Sequence, residues 1–348
     1  MRIAGREVSV PEATVVGLLV VVLAALVYGG ATSVAAFGAF NPTWEGTSDL
    51  RGVADEAGAE TVVATNTTAY EGRGNGTVAV VLAPEEPYDE ADVARIEGFL
   101  ARGGTLFVAA RGGTADDLLA AVGADARPAG PLLRDERNNY RDPALPTATN
   151  VSAHPLTEGV DSLTLNYGTT VDSGDATVLV ASSELGYLDR NGNGRLDGDE
   201  RLGSRPVATT EAVGEGRVVV VGDASAFINA MAERPSNRAF AANLFARETT
   251  VLLDNSHGAG VPPLVSALLT VRGSAPLQGG LLAGALLAVL AWERLLPRGG
   301  EPVTGRADPE ALADAAAERN PSLERPRLER LMKGIKNIRY VRGEDEDE

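Results

Sequence analysis

The chain has 348 residues and not one cysteine. That excludes disulfides, thiolate metal sites and every cysteine nucleophile. Lysine is nearly missing too: Lys333 and Lys336 are the only two, and arginine carries the remaining positive charge. Positive charge as a whole is scarce, with 31 Lys and Arg against 48 Asp and Glu and a net charge of −17. A nucleic-acid partner requires a basic footprint, so none is expected. An acidic, lysine-poor surface suits a salt-rich medium, where carboxylates retain water and their mutual repulsion is screened. A GC-rich genome is the other source of such a composition. Histidine is limited to His154 and His257. No phosphate loop, zinc signature or GxSxG elbow occurs.

What is present is one specific string. Asp189 to Glu200 reads Asp-Arg-Asn-Gly-Asn-Gly-Arg-Leu-Asp-Gly-Asp-Glu, which meets the calcium-loop pattern D-x-[DN]-x-[DN]-G-x5-E. Asp189, Asn191 and Asn193 supply hard oxygens, and Gly194 sits at the sharp turn. Arg195 offers its backbone carbonyl, Asp197 the ninth-position oxygen, and Glu200 a bidentate carboxylate. Leu196 is expected to tuck beneath the loop. The competing reading is a surface turn, because Asn, Gly and Asp also populate turns for their own reasons. Gly186 before the loop, and Gly203 and Pro206 after it, leave no helix pair. The expectation is therefore a calcium ion that clamps an insertion, not a sensor that opens on binding. Outside a cell, an affinity on the order of 10⁻⁴–10⁻³ M suffices for that.

Two apolar segments set the expected topology. Residues 14–36 and 274–296 are each long enough to cross a bilayer as a helix. Arg2 and Arg6 precede the first and only Arg51 follows it closely; Arg294, Arg298 and Arg306 follow the second. This bias places both termini in the cytoplasm and residues 37–273 outside the cell membrane. Sequons at Asn66, Asn75 and Asn150 lie in the outer part. Ser33-Val34-Ala35 leaves cleavage of the first segment as an alternative. In the tail, residues 297–348, Leu328, Leu331, Met332, Ile335 and Ile338 form an amphipathic stripe that suits a partner or a membrane surface.

Between the spans, apolar runs alternate with helical patterns. The expected order is a helix capped by Ser48, a strand at 61–64 and a strand at 77–83. A helix capped by Asp89 and stopped by Gly103-Gly104 leads to a strand at 105–110 and a helix capped by Thr114. Residues 127–160, rich in proline, are expected to be irregular. Strands follow at 162–165 and 177–181, then a hairpin of 207–213 and 217–222 about Gly214-Glu215-Gly216. A helix capped by Ser236 and a strand at 250–253 complete an α/β domain with a mostly parallel, doubly wound sheet of flavodoxin-like type. The calcium loop is an insertion at its edge.

The strand-helix-strand Val78–Ala110, the turn Ala153–Val160 and the stretch Gly216–Phe227 followed by Asn237 and Asn243 resemble the domain-of-unknown-function family 4350 in its haloarchaeal form. The resemblance spans most of residues 40–296 and lies in the order of these segments. It implies a fold related to class I glutamine amidotransferases and to the outer auxiliary subunit of ABC-type transporters. It also implies a membrane or envelope complex, with a MoxR-type ATPase and a von Willebrand-like protein as partners. An amidotransferase needs a cysteine at a strand-to-helix elbow. This chain has Arg111-Gly112-Gly113 there, so the fold is expected without that reaction.

No catalytic residue is assigned. The expected role is a non-enzymatic, membrane-anchored domain that binds a protein partner or envelope ligand. A hydrolase using Asp223, Ser225 and His257, and a transporter auxiliary subunit, are the alternatives. His154 before Pro155, and His257 in Asp254-Asn255-Ser256-His257, read first as turn residues. Arg134, Arg137 and Arg141 read as partners of Asp135, Glu136 and Asp142.

Overall fold

The computed structural model describes residues 2–3, 6–7, 10–33, 35–258 and 262–295. The tail and its apolar stripe lie outside them. The chain divides into two units, residues 1–273 and 274–348.

The core of the first unit is an eight-stranded sheet. Its strands are β1 (Glu60–Ala64), β2 (Thr77–Leu82), β3 (Thr105–Ala109), β4 (Asn150–Val151), β5 (Thr177–Ala181), β6 (Pro206–Val213), β7 (Gly216–Val221) and β8 (Thr250–Asp254). Across the sheet the order is β1-β8-β2-β3-β7-β6-β5-β4. The first five run parallel; the last three attach antiparallel. Gly214, with φ +59°, turns the β6–β7 hairpin, a conformation that suits a residue without Cβ.

Strand period 2 divides the apolar residues between two faces. Val78, Val80, Phe107, Val219, Val221, Val251 and Leu253 join one core cluster with Leu50 and Val53 of α2 (Asp49–Glu56) and Phe240 and Phe245 of α6 (Pro235–Phe245). Ala79, Val81, Leu106, Val108, Val218, Val220 and Leu252 join the other. That cluster includes Ile96 and Phe99 of α3 (Glu90–Ala101) and Leu118 of α4 (Thr114–Ala121). Both faces of the parallel strands are covered, which is why those strands read as near-continuous apolar runs.

Of the local expectations, one cap holds and several others change. Asp89 caps α3 in a capping box with Asp92. Ser48 caps nothing through its side chain, α4 starts on Thr114 after Gly113, and α6 starts on Pro235 after Arg234. A proline at the first turn is preorganised and needs no N–H, so it displaces Ser236 as the start. Residues 127–160 are not wholly irregular. They contain β4 and the short strands Arg127–Ala129, Leu132–Asp135 and Thr147–Ala148. The expected strand at 162–165 is Leu163–Thr164, paired with Thr147–Ala148 outside the main sheet. Strands of two to four residues are too short to show a period.

Helix α1 (Val10–Ala31) and, in the second unit, α8 (Ala275–Leu295) stand where the apolar segments were expected to be helical. Among the described residues no helix is long and apolar enough to cross a membrane. Side chains of α1 at positions 10–13, 15, 16, 19, 23, 26, 27 and 31, and of α8 at 285, 286 and 288–295, lie outside that description.

Candidate functional site

The loop 189–200 leaves the strand Gly186–Asp189, which pairs antiparallel with Leu132–Asp135. It lies within the insertion 182–205 between β5 and β6. Asp189 is 4 % exposed, and its Oδ2 accepts the Gly194 N–H at 2.9 Å. Gly194 has φ +74°, so the sixth position makes the sharp turn. From the other end, buried Glu200 accepts the Arg190 N–H on Oε1 at 2.6 Å and the Asp197 N–H on Oε2 at 3.1 Å.

The middle of the loop is closed by its own amides. Asn191 and Asn193 accept the N–H groups of Asn193 and Arg195 on their Oδ1 atoms, at 3.0 and 2.8 Å. Both donate Nδ2 to Asp197 Oδ2 at 2.7 Å. The oxygen set is the hard one that calcium takes, but in this closed form amide nitrogens face the Asp197 carboxylate. Among the described residues no three carboxylate or imidazole groups are placed to hold a metal ion. Asp189 Oδ1 is buried with no hydrogen-bond partner. The nearest cation is Arg134, whose Nη1 is 3.9 Å from Asp189 Oδ2 and whose Nη2 is 4.0 Å from Asp142. Leu196 is 42 % exposed and does not tuck under the loop; without a helix pair there is no apolar floor to receive it.

A second group of polar residues lies at the carboxyl edge of the parallel strands, where open α/β sheets bind ligands. Asp223, two residues past the end of β7, is fully buried. Burial pushes its carboxyl up to about 7, against the N–H groups of Asn166, Ser225 and Ala226, which favour the charged form. Its carboxylate accepts the Asn166 and Ser225 N–H groups and caps the following turn. His257 lies past β8. Between β8 and β7 stand β2 and β3, and three strand spacings are about 14 Å. The set Asp223, Ser225 and His257 is therefore not one constellation.

His257 is instead joined to residues near and far in sequence. Its Nδ1 is 2.8 Å from Ser256 Oγ, its Nε2 is 3.2 Å from Asp92 Oδ2, and Tyr88 stacks on its ring at 3.8 Å. Asp92 also accepts from Thr67 and from Arg95. Burial works to raise the Asp92 carboxyl, but the Thr67 hydroxyl, the Asp89 N–H and His257 outweigh it and hold it below the ordinary value. Behind this group Asp254 accepts the Tyr70 hydroxyl at 2.6 Å and the Ser256 N–H at 2.7 Å. Burial first, then Asp254, push Tyr70 and Tyr88 well above the ordinary phenol range. From sequence, Asp92 signals only a helix start; nothing marks its meeting with a residue 165 positions away.

His154 is the turn residue expected: its Nδ1 accepts the Leu156 N–H at 3.1 Å. Asn237 and Asn243 act structurally. Asn237 bridges Thr164 and Ala226, and Asn243 donates to the Leu156 and Glu158 carbonyls. Arg134 pairs with Asp142 as expected, whereas Arg141 and Arg234 lie over the Tyr140 ring. At the amino edge of the sheet, Arg217, Arg247, Asn75 and Glu248 line an open cavity of about 260 Å³.

No curated protein matches the chain. Solved structures with some similarity include the mmIFT52 N-terminal domain, at 16 % identity over 52 % of this chain and 80 % of that one, with a TM-score of 0.40. The cytoplasmic protein STM1381 from Salmonella typhimurium LT2 is 13 % identical over 58 % and 86 %, with a TM-score of 0.36. The exo-beta-1,4-mannosidase Op5Man5 from Opitutaceae bacterium strain TAV5 is 15 % identical over 50 % of this chain, which spans 26 % of the mannosidase, with a TM-score of 0.28. The family described as "Domain of unknown function (DUF4350)" matches residues 39–245, more than half of the sequence and the greater part of the sheet. The chain belongs to the DUF4350 family.

Proposed function

We propose that this protein is a membrane-anchored α/β domain whose 182–205 insertion is clamped by calcium, and which binds a protein partner outside the cell. The observation that carries the calcium reading is Asp189 Oδ1. A buried carboxylate oxygen without a partner costs about 1–3 kcal/mol or more, and it lies at the first ligand position of a twelve-residue loop whose end positions are already turned inward. A hard cation satisfies that oxygen. Asp189, Asn191, Asn193, Asp197 and Glu200, with the Arg195 carbonyl, would hold it, once Asp197 is released from the two amides.

The anchored reading is supported by exposed apolar side chains. In α1, Leu18, Val20, Val21, Val22 and Tyr28 are uncovered; in α8, Leu277, Leu281, Leu282 and Leu287 are. Glu12 is the only charged residue in α1. Lipid is the solvent such surfaces suit. A partner in a MoxR-type or transporter complex follows from the family resemblance alone; co-purification with a nucleotide-binding subunit distinguishes the transporter role.

The test for calcium is melting at native salt with added calcium and with chelator. Calcium is expected to raise Tm in the wild type and leave the Asp189→Ala/Glu200→Ala variant unmoved. Equal shifts in both remove the claim. For anchoring, added protease is expected to digest residues 37–273 in intact cells; protection until lysis overturns it.

A further inference from the structure

We propose that Ser256, His257 and Asp92 form a hydrolytic centre for small uncharged acyl esters at the carboxyl edge of the parallel strands. The three side chains are linked in one line. Asp92 Oδ2 meets His257 Nε2 at 3.2 Å, and His257 Nδ1 meets Ser256 Oγ at 2.8 Å. The imidazole is fixed on several sides: Tyr88 stacks on its face, and the His257 carbonyl accepts the N–H groups of Glu85 and Glu86 at 2.7 and 3.1 Å. Its side chain is 12 % exposed.

The chemistry follows from which nitrogen bears the proton. A carboxylate accepts only, so Asp92 requires the proton on Nε2, and that leaves the Nδ1 lone pair facing the Ser256 hydroxyl. This is the division of labour of a serine triad with the two ring nitrogens exchanged. Asp92 is itself anchored by Thr67, Arg95 and the Asp89 N–H, so it orients the ring and does not accept the transferred proton. Ser256 is half-buried and is shaped into a turn by its own N–H on Asp254. The neighbouring chain carries Glu85, Glu86, Asp89 and Glu90, which disfavours anionic substrates.

In the reaction, the Ser256 oxygen bonds to the ester carbonyl carbon while its proton passes to His257 Nδ1. The carbon–alkoxy bond breaks, and the alcohol leaves with that proton. Water then attacks the acyl-serine and gives a proton to Nδ1; the bond from the acyl carbon to Ser256 Oγ breaks, and that proton passes from Nδ1 to Oγ as the carboxylic acid leaves. No oxidant, metal or further reactant is needed.

The experiment uses the full chain in detergent at native salt, with a fluorophosphonate probe and p-nitrophenyl acetate. The probe's phosphorus bonds to Ser256 Oγ as fluoride leaves. The expected result is an adduct on the peptide bearing Ser256 and ester hydrolysis that Ser256→Ala abolishes. His257→Gln is expected to slow both by about 100-fold or more. Asp92 is a positioning residue: Asp92→Asn is expected to slow labelling and move the inflection of its pH profile downward, which loss of a helix-cap contact alone does not do. Unchanged melting in Ser256→Ala establishes that its fold is intact. Absence of the adduct from folded wild type, hydrolysis that survives Ser256→Ala, or labelling indifferent to His257→Gln overturns the proposal. Chelator leaves labelling unchanged, so this centre and the calcium clamp fail separately.

Discussion

The parallel strands β1, β8, β2, β3 and β7 and the antiparallel strands β6, β5 and β4 belong to one sheet but use their edges differently. The parallel part is covered on both faces by helices, and its registers run without interruption. The antiparallel part has register shifts between Val178 and Ala181 and admits residues 182–205 between two neighbouring strands. A parallel connection must run about a dozen residues or more back along the sheet, usually with a helix, whereas an antiparallel connection needs only two ends that lie close together. Rigid packing therefore supports the Asp92–His257–Ser256 line on one side, and tolerance of insertion supports the acidic loop on the other.

The largest expected effect tests the parallel part. Phe107 is 1 % exposed and meets Phe227 edge to face at 5.1 Å. Phe107→Ala is expected to cost about 3–5 kcal/mol in denaturant unfolding; a cost near that of a surface change would break the contrast. Next comes the insertion. Calcium at 100 times its dissociation constant is expected to add about 2.7 kcal/mol to the wild type, with none of it remaining in Asp189→Ala/Glu200→Ala.

Asp223 gives a pH dependence whose sign is opposite to that of a salt-bridged carboxylate. Its folded value of about 7 lies above the ordinary 3.8. Between those values the folded protein keeps a proton that the unfolded chain has lost. Its contribution is complete below about pH 4 and is lost as pH rises toward 7, at up to about 1.4 kcal/mol per pH unit. Asp223→Asn is expected to flatten this slope in melting measured across pH; an unchanged slope sinks the assignment. The smallest effect is at the surface. Arg238 meets Glu56 at 2.6 Å, but the two side chains are 38 % and 69 % exposed. Glu56→Gln is expected to change stability by no more than about 0.5 kcal/mol, and a larger loss would mean that α2 and α6 are joined by charge and not by Leu50, Val53 and Phe240.

Much of the parallel part was legible because its strands are long apolar runs bounded by glycine and by caps such as Asp89. The β6–β7 hairpin was legible from Gly214-Glu215-Gly216. The short strands of 127–160 were not, since two to four residues carry no period. The starts of the helices at Thr114 and Pro235 were misplaced by one and by two residues, because serine and threonine can stand either at a cap or within the first turn. The loop 189–200 was legible as a match to the calcium-loop pattern; that its centre closes on Asp197 through two asparagine amides was not. The triple Asp223, Ser225 and His257 looked coherent only until strand order separated its members.

From its sequence alone, this protein is an acidic α/β chain without thiol chemistry, with a calcium-type loop and two apolar flanks, because charge, alternation and ligand spacing are local properties. Tertiary structure alone decided which distant side chains meet. The pairing of β8 with β2 brings the turn after Asp254 to the start of α3, and only that contact gives His257 a carboxylate on Nε2, opposite the hydroxyl of its chain neighbour Ser256 on Nδ1.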